Sequence, residues 1–109
     1  VRHVLFVCGK NRRRSPTAEA VFSGVEGFAF SSAGTAADAD CPVSADLLEW
    51  ADDVVVMEDR QAQQLRMRFG AALKAKRVIN LNIPDRYEAM QPELIAALRA
   101  KAGRWMRQA

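Results

Sequence analysis

Residues Val4–Phe22, "VLFVCGKNRRRSPTAEAVF", decide how the rest of the chain is read. Val4–Val7 is a continuous β-branched and aromatic run, as expected of a strand covered on both faces. Cys8 ends it, and four basic residues, Lys10, Arg12, Arg13 and Arg14, fall within the next six positions. Ser15 followed by Pro16 has the pattern of a helix N-cap and first helical residue. Ala18, Val21, Phe22 and Val25 continue at helical spacing, so a helix is expected from Pro16 to Val25. A strand, a basic loop and a helix start in succession make a place for an anion. The cysteine in front of them is a candidate reagent.

Working outward, the same alternation continues. Gly27 breaks the first helix, and Phe28–Ala33 reads as a second strand ended by Gly34. Residues 35–43 are a polar loop, and Ser44 caps a short helix through Trp50. Asp53–Met57 holds a Val-Val-Val strand, and Asp59–Phe69 is a helix with Ala62, Leu65 and Phe69 as its apolar stripe, closed near Gly70. Arg77–Leu81 is a fourth strand, Ile83-Pro84-Asp85 a loop, and Gln91–Arg107 a final helix with Leu94, Ile95, Leu98, Ala102 and Trp105 on one face. This β-α-β-α-β-α-β-α order implies an α/β fold, a four-stranded parallel sheet with helices on both faces, doubly wound. The 109 residues are expected to form one domain, residues 1–109.

In such a fold, ligands bind beyond the carboxyl ends of the strands. Cys8–Ser15, Asp38 and Asp40, Glu58 and Asp59, and Asp85 and Glu88 all follow strands and are site candidates. His3, Asp52 and Asp53 precede strands and are read as structural, as are Trp50 and Trp105. The turn after Cys8 (Gly9, Lys10, Asn11, Arg12, Arg13) can direct successive backbone N–H groups inward as an oxyanion nest, aided by the helix N-terminus. Arg14 can fork onto two phosphate oxygens. The positive potential of that cup favours a thiolate at Cys8, and the Ser15 hydroxyl can support it. A buried structural cysteine with a solvated basic loop is the competing reading of an isolated Cys-x5-Arg. The strand in front and the Ser-Pro behind favour the catalytic one.

With those residues in view, "VLFVC…N…RSPTAEAVF" resembles the opening of the low-molecular-weight protein tyrosine phosphatases. "SSAGT", Ser31–Thr35, is similar to the end of that family's second strand, and "WADDVVVMED", Trp50–Asp59, resembles its third strand and following turn. The resemblance implies a phosphotyrosine protein phosphatase I-like fold and a cysteine-dependent phosphomonoester hydrolase of the protein-tyrosine-phosphatase type. It implies Cys8 as nucleophile, Arg14 as phosphate clamp, Asn11 and Ser15 as loop-shaping and thiolate-supporting residues, and Ser32 as partner of Asn11. It implies no metal and no cofactor. The partners are a phosphorylated protein or small phosphomonoester, with inorganic phosphate or another oxyanion in the loop.

Phosphoester cleavage also needs a proton for the leaving oxygen. The family carries its acid in an Asp-Pro loop after the last strand; here the order is Pro84-Asp85. Asp85 is the expected acid and Glu88 the alternative, with about 10 Å to span if the fourth strand lies two places from the first. Tyr87 is a candidate for the rim. The chain departs from the family in three further ways. It is shorter between the second strand and the short helix, it has Gly9-Lys10 where a bulky residue and glycine are usual, and it has Arg13 where a second cysteine is common. Arg12 and Arg13 suggest a basic rim suited to an acidic or multiply phosphorylated ligand.

The net charge of +3 and pI near 9.2 mildly favour acidic partners. Arg99, Lys101, Arg104 and Arg107 read as a solvated helix face, so neither membrane nor nucleic-acid binding is expected. Two cysteines, Cys8 and Cys41, are too few for a disulfide framework and wrongly spaced for zinc, and with a leading apolar run too short for a signal peptide they point to the cytoplasm. Cys41 is read as a free or structural thiol. Two other functions fit parts of the pattern. One is a phosphate- or phosphopeptide-binding module without catalysis; the other is arsenate reduction, which wants more cysteines than this chain has.

Overall fold

The computed structural model describes residues 1–108. Eight elements alternate: β1 (Arg2–Cys8), α1 (Arg14–Phe22), β2 (Phe28–Gly34), α2 (Ala45–Trp50), β3 (Asp53–Val56), α3 (Asp59–Leu73), β4 (Arg77–Asn80) and α4 (Pro92–Gln108). The strands form one sheet in the order β2-β1-β3-β4. Every pairing is parallel, with Cys8 opposite Gly34, Val7 opposite Val56 and Val56 opposite Asn80.

β1 lies inside the sheet, and Val4, Leu5, Phe6 and Val7 are fully buried. Alternate side chains enter opposite layers, because strand residues point to opposite faces in turn. Val4 and Phe6 pack with Phe22 of α1 and with Leu94, Leu98 and Trp105 of α4. Leu5 and Val7 pack with Leu48 of α2 and with Ala62 and Leu65 of α3. Burying a side chain such as Phe6 contributes about 2–3 kcal/mol. The helices thus cover both faces, as the uninterrupted apolar strands require.

Element boundaries shift where local interactions override the pattern. α1 starts at Arg14, with Arg13 at the N-cap and no side-chain cap bond, so Ser15 is not the cap. Its hydroxyl is engaged elsewhere. α1 also ends before Val25, at Phe22, and Gly27 takes a φ of +88 to turn the chain into β2. α3 runs past Gly70 to Leu73 through a non-helical Phe69. The cap of α3 is Glu58, through a reciprocal capping box with Gln61. Among the described residues no helix is long and apolar enough to cross a membrane.

The residues at the amino edge of the sheet are structural, as their position implies. Asp53, fully buried, accepts two hydrogen bonds from the Arg2 guanidinium. Asp52 accepts from the His3 backbone N–H at 2.8 Å, and the His3 ring stacks on Trp50 at 4.6 Å. Trp105 is buried, whereas Trp50 is only partly so. Removing Arg2 leaves an uncompensated buried carboxylate, whereas neutralising Asp53 frees a guanidinium able to turn into water. Arg2→Ala is therefore expected to cost about 3 kcal/mol in urea denaturation, and Asp53→Asn distinctly less.

Candidate active site

The sheet order reverses direction at β1: β2 lies to one side, β3 and β4 to the other. That switch point opens a crevice at the carboxyl end of β1, where Cys8 sits. Residues 9–13 cross the crevice and enter α1. The loop is stitched to the segment after β2 by Thr35 N–H to the Cys8 carbonyl (3.0 Å), Ala36 N–H to Gly9 (2.9 Å) and Asp40 N–H to Lys10 (3.0 Å). The left-handed residue of the loop is Asn11, at φ +57, and not Lys10. Asparagine tolerates that region where most side chains do not, so no glycine is needed at position 10.

The turn at Asn11 aims its backbone N–H at the Cys8 sulfur, 3.2 Å away. Ser15 Oγ lies 3.0 Å from the same sulfur, 2.8 Å from Asn11 Oδ1 and 3.3 Å from the Ala33 carbonyl. Cys8, Asn11 and Ser15 are all buried. Ser32 does not join them. It pairs in register with Phe6, two residues short of the strand end, and its hydroxyl donates instead to Glu19 of α1 at 2.6 Å. The expected Asn11–Ser32 contact is thus replaced by Asn11–Ser15.

Arg14 is buried to within 2% and anchored on one side only. Its Nη1 donates to Glu58 Oε1 at 2.5 Å and to the Ile83 carbonyl at 2.8 Å. Nε and Nη2 have no hydrogen bond among the described residues, and Nε lies 3.8 Å from Asp85 Oδ1. That edge of the guanidinium has the geometry to fork onto an oxyanion. Burial acts on the Glu58 carboxyl most strongly and pushes its pKa up, but the Arg14 hydrogen bond and charge, helped by Arg60, outweigh it and hold the pKa below the ordinary value. Glu58 therefore stays ionised at neutral pH, stabilising the Arg14 cation and α3 together.

Cys8, Gly9, Arg14 and Asp85 border a cavity of about 370 Å³. Lys10, Arg12 and Arg13 line it as well, together with Thr35, Ala36 and, from α3, Arg60, Gln61 and Gln64. Glu88 is absent from the walls; it lies outside, 3.5 Å from Arg13. Tyr87 is absent too. It packs against the Phe6 layer with the Arg86 guanidinium over its ring, so it is not a rim residue. Glu58, a site candidate by its place after β3, reaches the site through Arg14, whereas the wall residues Arg60, Gln61 and Gln64 were not singled out by the sequence. The Glu58-x-x-Gln61 capping spacing was their only local signal. Among the described residues no cluster of metal-ligating side chains forms. Cys41 is exposed and unpaired.

No protein-family model matches the chain, and no curated protein matches it in sequence. Solved structures do match. A low-molecular-weight protein tyrosine phosphatase from Streptococcus pyogenes superposes with a TM-score of 0.81 at 15% identity, over 99% of this chain and 93% of that one. Vibrio vulnificus Wzb, bound to benzylphosphonate, gives 0.80 at 21% identity over 99% of both chains. The YwlE arginine phosphatase from Geobacillus stearothermophilus gives 0.74 at 20% identity, over 99% of this chain and 95% of that one. The chain has the fold of the low-molecular-weight protein tyrosine phosphatases, with its cysteine loop at the switch point of that fold's parallel sheet.

Proposed function

We propose that residues 1–109 form one catalytic domain, a cysteine-dependent phosphomonoesterase that hydrolyses aryl phosphates of the phosphotyrosine type through a phosphocysteine. The observation that carries this reading is the paired contact on one buried sulfur, Asn11 N–H at 3.2 Å and Ser15 Oγ at 3.0 Å, beside an Arg14 anchored through Nη1 with its Nε toward Asp85. The positive charge that phosphoryl transfer demands comes from Arg14 and the loop amides, so no metal or cofactor enters the proposal. Two free thiols suit a reducing compartment such as the cytoplasm.

Proton bookkeeping around Ser15 gives the reaction a definite start. Its hydroxyl has one hydrogen and faces three acceptors: Cys8 Sγ, Asn11 Oδ1 and the Ala33 carbonyl. With a thiol at Cys8, S–H donates to Ser15 and Ser15 donates to Asn11. With a thiolate, Ser15 turns its hydrogen to sulfur, and the Asn11 amide presents its NH₂ to Ser15 instead. The thiolate attacks phosphorus and the P–O bond to the leaving oxygen breaks, while Arg14 and the loop N–H groups hold the equatorial oxygens. Asp85 gives its proton to the departing oxygen. Its carboxylate then takes a proton from water, which attacks phosphorus and breaks the P–S bond, and the Ser15 hydroxyl supports the sulfur as it leaves.

Asp85 is favoured as the acid over Glu88 by position. The Ile83 N–H bonds the Met57 carbonyl at 2.8 Å and the Ile83 carbonyl accepts from Arg14, so the loop is pinned just before Pro84-Asp85 and the aspartate borders the cavity. Glu88 stands outside the cavity wall beside Arg13.

Cys8→Ser is expected to abolish p-nitrophenyl phosphate hydrolysis while still binding vanadate in a calorimetric titration; undiminished turnover would discard the mechanism. Asp85→Asn should lower kcat about 10²- to 10³-fold on esters with poor leaving groups and much less on those with good ones, read from a leaving-group series. If Glu88→Gln produced that pattern instead, the acid role would move. Glu58→Gln should weaken vanadate binding more than it changes the leaving-group dependence. A carboxyl with a depressed folded-state pKa contributes stability above its unfolded value and loses it as pH falls through the folded one. The stability gap between wild type and Glu58→Gln should therefore be widest above about pH 5 and close in more acidic solution, as followed by denaturation across pH.

A further inference from the structure

Both ends of the segment that carries Asp85 are tied to one helix. At its start, the Ile83 carbonyl accepts from Arg14 Nη1 at 2.8 Å, while the Ile83 N–H bonds the Met57 carbonyl beyond β3 at 2.8 Å. At its far end, the Met90 N–H donates to Thr17 Oγ1 at 3.0 Å. Arg14 and Thr17 both belong to α1 and both are buried. Residues three apart on a helix are neighbours on one face. Residues 83–90 therefore leave α1 at Arg14 and return to it at Thr17, within one turn. Between the two ties, the contacts of the segment with the rest of the chain include an exposed Glu88–Arg13 pair at 3.5 Å and the Tyr87 ring at the edge of the Phe6 layer. The Arg86 N–H bonds the Pro84 carbonyl at 3.1 Å, inside the segment itself.

The far tie falls on a strained residue. Met90 has φ +60, in the left-handed region that a methionine seldom adopts. Its side chain is half exposed and belongs to neither apolar layer, so side-chain packing does not hold the turn. Such a conformation persists where the surrounding structure over-determines it. Here the tertiary partner of its backbone is the buried Thr17 hydroxyl. Thr17 does not border the cavity. We propose that Thr17 is a positioning residue for the general acid: by holding Met90 it closes the segment onto α1 and fixes where Asp85 stands relative to Cys8. The helix that receives the cysteine loop thus also carries both anchors of the acid. The inference rests on the reading of Asp85 as the acid, but the double tie is independent of it.

Thr17→Val keeps the shape of the side chain and removes its hydroxyl; Thr17→Ser keeps the hydroxyl. The readout is the ratio of kcat on p-nitrophenyl phosphate, a good leaving group, to kcat on phenyl phosphate, a poor one. Thr17→Val should raise that ratio about fivefold, the size of one lost hydrogen bond, and Thr17→Ser should restore it. Thr17→Ala, with the better helix former, should act like Thr17→Val and guards against a folding defect. In an Asp85→Asn background, Thr17→Val should raise the ratio no further, because a residue that acts through the acid has nothing left to position. Amide hydrogen exchange over residues 84–90 should quicken about tenfold in Thr17→Val. A wild-type ratio in both Thr17→Val and Thr17→Ala, failure of Thr17→Ser to restore it, an equal rise in the Asp85→Asn background, or unchanged exchange would each overturn the inference. If Asp85→Asn itself keeps the wild-type ratio while exchange still quickens in Thr17→Val, the acid reading falls and the tie from Thr17 to residues 84–90 stands.

Discussion

The candidate site depends on how closely two strand ends approach one another. Gly34, the last residue of β2, lies against the loop that follows Cys8. A side-chain carbon at Gly34 would come within 2.5 Å of the Gly9 carbonyl oxygen and 2.9 Å of the Asn11 nitrogen. Only a residue without Cβ lets the loop rest there. Seated so, the loop exchanges backbone hydrogen bonds with residues 35, 36 and 40, and Asn11 takes the left-handed turn that points its N–H at sulfur. The sulfur contacts and the entry into α1 follow from this packing of backbone on backbone.

From that seat two lines of support run across the sheet. One passes through Ser15, whose hydroxyl serves the sulfur instead of capping α1, so a local helix preference yields to a tertiary one. The other passes through Arg14 to Glu58 and the Ile83 carbonyl, reaching the ends of β3 and β4. Glu58 accepts from Arg14 and caps α3 at once, so the orientation of the guanidinium and the start of a helix are mechanically one feature. A planar cation held by one nitrogen has its opposite edge fixed in direction, here toward Asp85.

The segment between β2 and α2 is short in this chain, yet it does two things. Its backbone props up the cysteine loop, and its aspartates cover the loop's cations. Such exposed ion pairs add little stability singly. The basic excess of the chain lies largely elsewhere, including the Arg99, Lys101 and Arg104 positions of α4.

The sequence by itself determined the alternation of strands and helices, the doubly wound parallel class, and the choice of Cys8–Ser15 as the candidate site. These follow from local periodicity and from a motif contained in eight consecutive residues. It also placed Asp52 and Asp53 at the edge away from Cys8, because strand direction alone tells which end faces the crevice. Only the tertiary structure decided which carboxylate meets which cation. Asp38, Asp40, Glu58, Asp85 and Glu88 come from loops after three different strands, and no local rule fixes their distances to residues 10–14. The same is true of Ser32, turned to Glu19 by its register with Phe6, and of Tyr87, half-buried against the edge of the core. Contacts between segments remote along the chain are set by the order of strands in the sheet, and that order is a property of the whole fold.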